Sequence, residues 1–329
     1  MSEDSWDRAR RILEEARLAP DRLAGVRPLT GGTYSTVEEL LLDDGTRYVL
    51  KTAPAPTVPG MRYERRLLVS EVEFYRAAAE ADVEAPHVLA VGEEAGVPHL
   101  LLTACPGTPW DDSVTEAEQA VLRRELGCQL ARLHTVTGPG YGYPSGALGP
   151  LAPDWRTAVT GMVEAVLDDA RYYTSRLPRS VDQITYMIEA AYPALDEVTV
   201  PALVHFDLWD GNILVDRPAD GEPRIGGLID GERMFWGDPL ADFVSLALLG
   251  DIQKDEAFLA GYREAGGRAE FDTPARLRLA LYRAYLYLIM LVETGPRAVD
   301  VEQERWVQAV VAPELVVALD EIEMLAAGS

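Results

Sequence analysis

The sequence predicts an α+β fold with a small, strand-rich front part and a larger, mainly helical remainder. Short apolar runs separated by turn signals occupy the first hundred residues, as expected for strands. Beyond residue 113 the apolar spacing becomes helical and helix-start signals appear. The helical part is interrupted by an irregular crossing, "GPGYGYPSGALGPLAP", and by "LVHFDLWDGNILV" (203–215), whose charged centre is gripped by aliphatic flanks on both sides. These observations divide the chain into residues 1–104, a connector at 105–112 and a helical part at 113–329.

The elements follow in order. Residues 3–18 have amphipathic helical spacing. "VRPLTGGTYSTVEELLLDDGTRYVLKTA" reads as strand, Gly-containing turn, strand, an Asp44-Gly45 hairpin and strand. "APAPTVPG" is a Pro-rich loop, and Leu67, Leu68, Val72, Phe74 and Tyr75 in "YERRLLVSEVEFYRAAAEA" have helical spacing. "VPHLLLTAC" is a further strand, and "PGTPWDDS" the connector. Thr115 and Glu118 form a T-x-x-E capping box for a helix reaching about His134. Helices are expected again between Asp154 and Tyr192, then the quoted stretch, then the strand "PRIGGLID". Asp238-Pro239 opens "PLADFVSLALL", with Asp238 as N-cap. Thr273-Pro274 is read as N-cap and first helical residue of a helix through Glu293.

Composition narrows the partners. The net charge is −24, from 30 basic and 54 acidic residues. An acidic surface disfavours nucleic acid and anionic membranes, which need basic patches. It favours a cationic small molecule by steering, although an acidic balance serves solubility as well. No apolar run approaches the ~20 residues of a membrane span, and the N-terminus lacks a signal-peptide core. Cys105 and Cys128 have no metal-ligand spacing. Two such cysteines suit free thiols in a reducing cytoplasm, and the chain is expected to act there as a monomer or homodimer. Among the basic residues only Lys51 and Lys254 are lysines. In a chain that otherwise uses arginine, Lys51, at the end of the strand "TRYVLK", points to a compact point charge. Lys254 reads as a solvated loop residue.

In "HFDLWDGNILV", Asp207 and Asn212 lie five apart, and Asp230 follows in a separate strand. These are hard oxygen donors, and magnesium takes few protein oxygens and completes its shell with phosphate and water. Asn212 and Asp230 are read as the Mg2+ ligands, and Asp207 as the group that accepts a hydroxyl proton. Either of Asp207 and Asn212 alone would more often be a turn residue bonding its own loop. The combined set with strand framing favours the site.

The pattern H-x-D-x-x-x-x-N, followed by I-D-G with its Asp 23 residues after Asp207, resembles the catalytic and metal-binding segments of the protein-kinase-like fold. With "D-L-W-x-G-N" and "FWGDPLADF", it is similar to the aminoglycoside phosphotransferase and fructosamine kinase superfamily of small-molecule kinases. The likeness runs from about Val26 to Glu293. It implies a bilobal fold, Asp207 as catalytic base, Asn212 and Asp230 on Mg2+, and Lys51 on the nucleotide phosphates. Glu71 is the implied helix glutamate that pairs with Lys51, preferred over Glu64 and Glu73. Phosphoryl transfer needs positioning and charge neutralisation more than covalent chemistry, so this set suffices.

The turn "LTGGTYSTV" would cover the phosphates, with Gly31 and Gly32 allowing close backbone approach and Ser35 adding a hydroxyl. The pair departs from the protein-kinase G-x-G-x-x-G. Thr103 to Cys105 would meet the base of ATP, the default donor, with GTP as the alternative. His205 is expected to hold loop carbonyls, and Asp242 to brace the catalytic loop. Phe206 departs from the glycine that small-molecule kinases often carry there. His87, His99 and His134 show no mutual pattern, and Glu232, two beyond Asp230, is within reach of metal or substrate but is read as solvated. Trp155, Tyr172, Tyr173 and Tyr186 are offered as acceptor-pocket aromatics, although such spacing is more often core.

The leading expectation is a kinase for an aminoglycoside-like cationic antibiotic. A metabolic kinase for a ketosamine, amino alcohol or sugar is the alternative, and a nucleotide-binding pseudokinase is the reading from another class.

Overall fold

The computed structural model describes residues 3–29, 35–94, 96–219 and 221–328. Helix α1 (Glu3–Glu15) leads into strands β1 (Leu23–Pro28), β2 (Thr36–Leu42) and β3 (Arg47–Thr52), then helix α2 (Leu67–Glu80), β4 (Val88–Glu94) and β5 (Val97–Thr103). The five strands form one antiparallel sheet in the order β1-β2-β3-β5-β4. One face packs on α1 through Ile12, Leu13, Val26, Leu40, Leu50 and Leu101. Leu100 and Leu102, on the other face, join the apolar cluster that runs on through the helical part. Lys51 is opposite Leu100 and Val37 in the sheet, so it shares that inner face.

The remainder is mostly helix: α3 (Glu116–Leu133), α4 (Trp155–Tyr172), α5 (Val181–Glu189), α6 (Leu240–Leu246), α7 (Glu256–Glu264), α8 (Thr273–Val292) and further helical segments to Ala327. Five short strands frame the stretch that carries Asp207, Asn212 and Asp230. They are β6 (Thr108–Pro109), β7 (Ala202–Val204), β8 (Ile213–Asp216), β9 (Arg224–Leu228) and β10 (Phe235–Gly237). The connector lies against the β8–β9 hairpin. Gly107 has φ +93, and a Cβ there would sit 2.3 Å from the Val215 carbonyl oxygen, so only glycine fits.

Several local expectations change. Helix α1 stops at Glu15, three residues early. Arg17 takes a left-handed φ of 58 and Leu18 N–H closes back on Leu13 O at 2.8 Å, a C-terminal motif that glycine usually announces. The expected hairpin at Asp44-Gly45 does form. Only Gly45 has positive φ, and Gly45 N–H bonds Leu42 O at 3.0 Å while Leu42 N–H bonds Thr46 O at 2.9 Å, a type I turn closed by a bulge. The cap of α8 is Asp272, which accepts from Ala275 N–H at 2.9 Å, so Thr273 is inside the helix. Asp238 also stands one residue outside its expected cap position. Pro239 is the cap of α6, while Asp238 accepts from Leu240 N–H at 3.1 Å and spends its second oxygen on Arg278 at 2.9 Å and Tyr282 at 2.8 Å.

Candidate active site

Two halves of the site come from opposite ends of the chain. Strand β3 delivers Lys51 and helix α2 delivers Glu71, whose carboxylate receives Lys51 Nζ at 2.7 Å. The same ammonium reaches Asp230 Oδ1 at 2.5 Å and Glu232 Oε2 at 3.6 Å. Lys51 and Glu71 are buried. Burial alone would lower the Lys51 pKa, but Glu71, Asp230 and Glu232 outweigh it and hold the ammonium well above its ordinary value. Burial pushes Glu71 up against the pull of Lys51, while for Asp230 the lysine overcomes burial and holds the carboxyl down. Glu64 and Glu73 are engaged elsewhere: Glu64 accepts from Met61 N–H and Arg297, and Glu73 from the Trp236 indole at 2.9 Å.

Glu232 is not solvated, contrary to the expectation. The Gly231–Arg233 turn is pressed under α2, where a Cβ on Gly231 would lie 2.2 Å from the Phe74 ring, and this packing buries the carboxylate. Burial first, then repulsion from Asp230, push its pKa from 4.5 to about 8 despite Lys51. A raised acid pKa means that the folded state holds the proton more tightly, so stability is fully present below pH 4.5 and is lost as pH rises towards about 8. Metal-free, nucleotide-free protein is therefore expected to melt at lower temperature as pH climbs through this window. Glu232→Gln should flatten the trend in a calorimetric series; an equally steep slope in the variant would refute the assignment.

The loop that carries Asp207 leaves β7, which is only three residues long and pairs with β10. Phe206 adopts φ +64, a left-handed backbone that glycine would take without strain. Asp242, fully buried, holds this turn. Its Oδ1 accepts from Phe206 N–H at 2.6 Å, and its Oδ2 accepts from His205 N–H at 3.1 Å and faces His134 Nε2 at 3.0 Å. His205 Nε2 donates to Ile229 O at 2.9 Å, and its Nδ1 accepts from Asp207 N–H at 3.2 Å. The imidazole thus ties the Asp207 segment to the Asp230 segment as a neutral tautomer.

Asn212 Nδ2 donates to the Asp207 carbonyl at 2.8 Å and to Asp207 Oδ2 at 3.3 Å, which leaves its amide oxygen for another partner. Arg233 Nε is 3.7 Å from the same Oδ2, and its Nη2 bonds Glu293 at 2.9 Å. Both groups act on Oδ2, so Oδ1 of Asp207 faces no donor among the described residues. The β8–β9 hairpin places Asn212 beside the Asp230 segment, with Ile229 N–H on Asn212 O at 3.0 Å. Ligand oxygens of Glu71, Asp230 and Glu232 lie within 4.8 Å of one another. These three carboxylates are hard oxygen donors of the kind that Mg2+ takes.

The remaining expected positions fare differently. Gly31 and Gly32 lie outside the described residues; Ser35 follows them, its hydroxyl buried without a hydrogen-bond partner among the described residues. At the connector, Thr103 Oγ1 accepts from His87 N–H at 2.9 Å and the Cys105 carbonyl accepts from Arg47 at 3.4 Å. Burial pushes the Cys105 thiol up to about 12. Trp155 is a core residue, donating to the Tyr282 hydroxyl at 2.6 Å, and one edge of it lines a surface pocket beside Tyr141 and Asp154. Tyr172 and Tyr186 are exposed, and the Tyr173 hydroxyl donates to Gly60 O at 2.8 Å.

Sequence reasoning missed Tyr75, Arg233, Glu293 and His134. Spacing held a signal for the first two. Tyr75 is one helical turn beyond Glu71, and Arg233 is three residues after Asp230.

With the geometry established, comparison with known proteins places the chain. The profile of the phosphotransferase enzyme family matches residues 25–281. Viomycin phosphotransferase from Streptomyces vinaceus is 29% identical over 222 residues, 64% of this chain and 71% of that protein. Among solved structures, a candidate fructosamine-3-kinase from Thermobifida fusca superposes with a TM-score of 0.68 at 20% identity, covering 98% of both chains. A thermostable mutant of aminoglycoside phosphotransferase APH(4)-Ia, in complex with ADP and hygromycin B, gives 0.62 at 16% identity, covering 95% of this chain and 98% of that one. These likenesses extend to the whole fold, a small antiparallel-sheet lobe joined to a helical one. The chain belongs to the phosphotransferase enzyme family.

Proposed function

We propose that this protein transfers the terminal phosphate of ATP, with Mg2+, to a hydroxyl of a small cationic molecule, an aminoglycoside-like antibiotic or viomycin being the first candidate. The observation that carries the reading is the meeting of Lys51 with Asp230 while Asn212 clasps Asp207. Support for the acceptor comes from the viomycin phosphotransferase relative and from the net charge of −24.

In this reading Lys51 leaves the carboxylates to contact the phosphates. Asn212 and Asp230, with Glu232 beside them, would hold the metal, which when bound would neutralise charge on the triphosphate. Asp207 Oδ1 receives the acceptor hydroxyl proton, while Asn212 and Arg233 hold Oδ2 and so fix the carboxylate plane. Residues 1–104 and 113–329 act as two lobes that close over the reactants about the 105–112 connector, the base lying against Thr103 to Cys105.

The test is ADP release and phosphate-monoester formation, read by phosphorus NMR, across a panel of viomycin, aminoglycosides, ketosamines, amino alcohols and sugars. Transfer to the cationic antibiotics is expected at the highest kcat/KM. Preference for a neutral sugar or a ketosamine would move the protein to metabolism, and nucleotide binding without transfer to any acceptor would make it a pseudokinase.

A further inference from the structure

We propose that the Tyr75 hydroxyl is a positioning group of the phosphotransfer site, the member that closes a ring of hydrogen bonds beginning and ending on Asp230. The Asp230 backbone N–H donates to the Tyr75 oxygen at 3.0 Å, and the Tyr75 O–H donates to Glu71 Oε1 at 2.8 Å. Lys51 Nζ donates to that same Oε1 at 2.7 Å and to Asp230 Oδ1 at 2.5 Å. One circuit therefore holds both the main chain and the carboxylate of Asp230. Tyr75 is only 2% exposed, and its four-residue offset from Glu71 sets the two side chains on one helix face.

The ring explains a strained backbone. Asp230 sits at φ +64, a conformation that costs a non-glycine residue free energy and persists only where surroundings over-determine it. The link from Tyr75 to the Asp230 amide is one such constraint, and it comes from a different element, helix α2. It also matters at the reactive stage. The inference rests on the kinase reading, in which Lys51 turns from the carboxylates to the phosphates. Once it turns, Tyr75 is the ring member that still joins Glu71 to Asp230. The hydroxyl then keeps the metal-binding carboxylate where the helix places it.

Tyr75→Phe removes the hydroxyl and keeps the buried ring. The variant is expected to need about tenfold more Mg2+ for half-maximal rate and to lose about tenfold in kcat, the scale of one buried hydrogen bond. KM for the acceptor should stay unchanged. Mn2+ binding in the presence of a non-hydrolysable ATP analogue, read by electron paramagnetic resonance, should weaken to the same degree. A merely structural role would lower the melting temperature and leave Mg2+ and Mn2+ affinities at wild-type values, which would overturn the proposal. Hydrogen exchange of the wild-type protein gives a measurement independent of the variant. The Asp230 amide should be protected, and exchange at the rate of an open turn would equally overturn it. If the wild type phosphorylates no acceptor, the functional reading fails by itself, and the Mn2+ and exchange results still judge the ring.

Discussion

Replacing Asp207 by Ala or Asn is expected to lower kcat by about 10²- to 10⁴-fold, the usual contribution of a positioned general base, with nucleotide affinity and melting temperature close to wild type. The structure explains why so large a loss should leave the fold intact. Asn212 anchors mainly on the Asp207 carbonyl, at 2.8 Å, which any residue at this position retains. Arg233 keeps its 2.9 Å bond to Glu293, so removing the carboxylate strands no buried cation. Lys51, Glu71 and Asp230 do not touch the Asp207 side chain through any of the bonds described, so the phosphate end should bind normally. Steady-state kinetics on the best acceptor, with nucleotide titration and calorimetry on the same variant, check each part. Near-normal phosphoryl transfer by Asp207→Ala would refute the assignment.

How legible this was depended on the range of the interactions involved. Local rules located what they govern: Thr115 caps α3 with Glu118 as its box partner, and Lys51 falls within β3. The hairpin that sets Asn212 beside Ile229 was implied by two strand-like runs around a turn. What could not be read was set by packing between distant segments. Glu232 looks like any loop acid until α2 lies over its turn and Phe74 covers Gly231. His134 follows an ordinary helix end, and its partner Asp242 is 108 residues away. Strand β10, three residues long, is too short for an alternation signal, and β4, an edge strand of mostly half-buried residues, lacks a clean one. The choice between Asp272 and Thr273 as cap turned on a single residue that either side chain satisfies chemically.

Asp242→Ala should do the opposite of the Asp207 change, damaging fold and turnover together. Asp242 is fully buried and serves three groups, the amides of His205 and Phe206 and the His134 ring. Alanine leaves them without an acceptor in an apolar surround, and a buried donor stripped of its partner costs about 1–3 kcal/mol. The sum should be about 3–5 kcal/mol, with a fall in melting temperature of roughly 5–15 °C. The activity effect follows from Phe206. Its left-handed backbone costs about 1–2 kcal/mol, and the Asp242 Oδ1 contact to its amide at 2.6 Å is the bond that holds the turn. Released, the residue relaxes towards negative φ and carries Asp207, its neighbour, out of line. Loss of kcat should therefore exceed any change in nucleotide KM, even well below the melting transition, because the Lys51–Glu71 end is built from other elements. Asp242→Asn, which keeps one carbonyl acceptor, should fall between the two. A variant as stable and active as wild type would mean that the turn holds its conformation without Asp242.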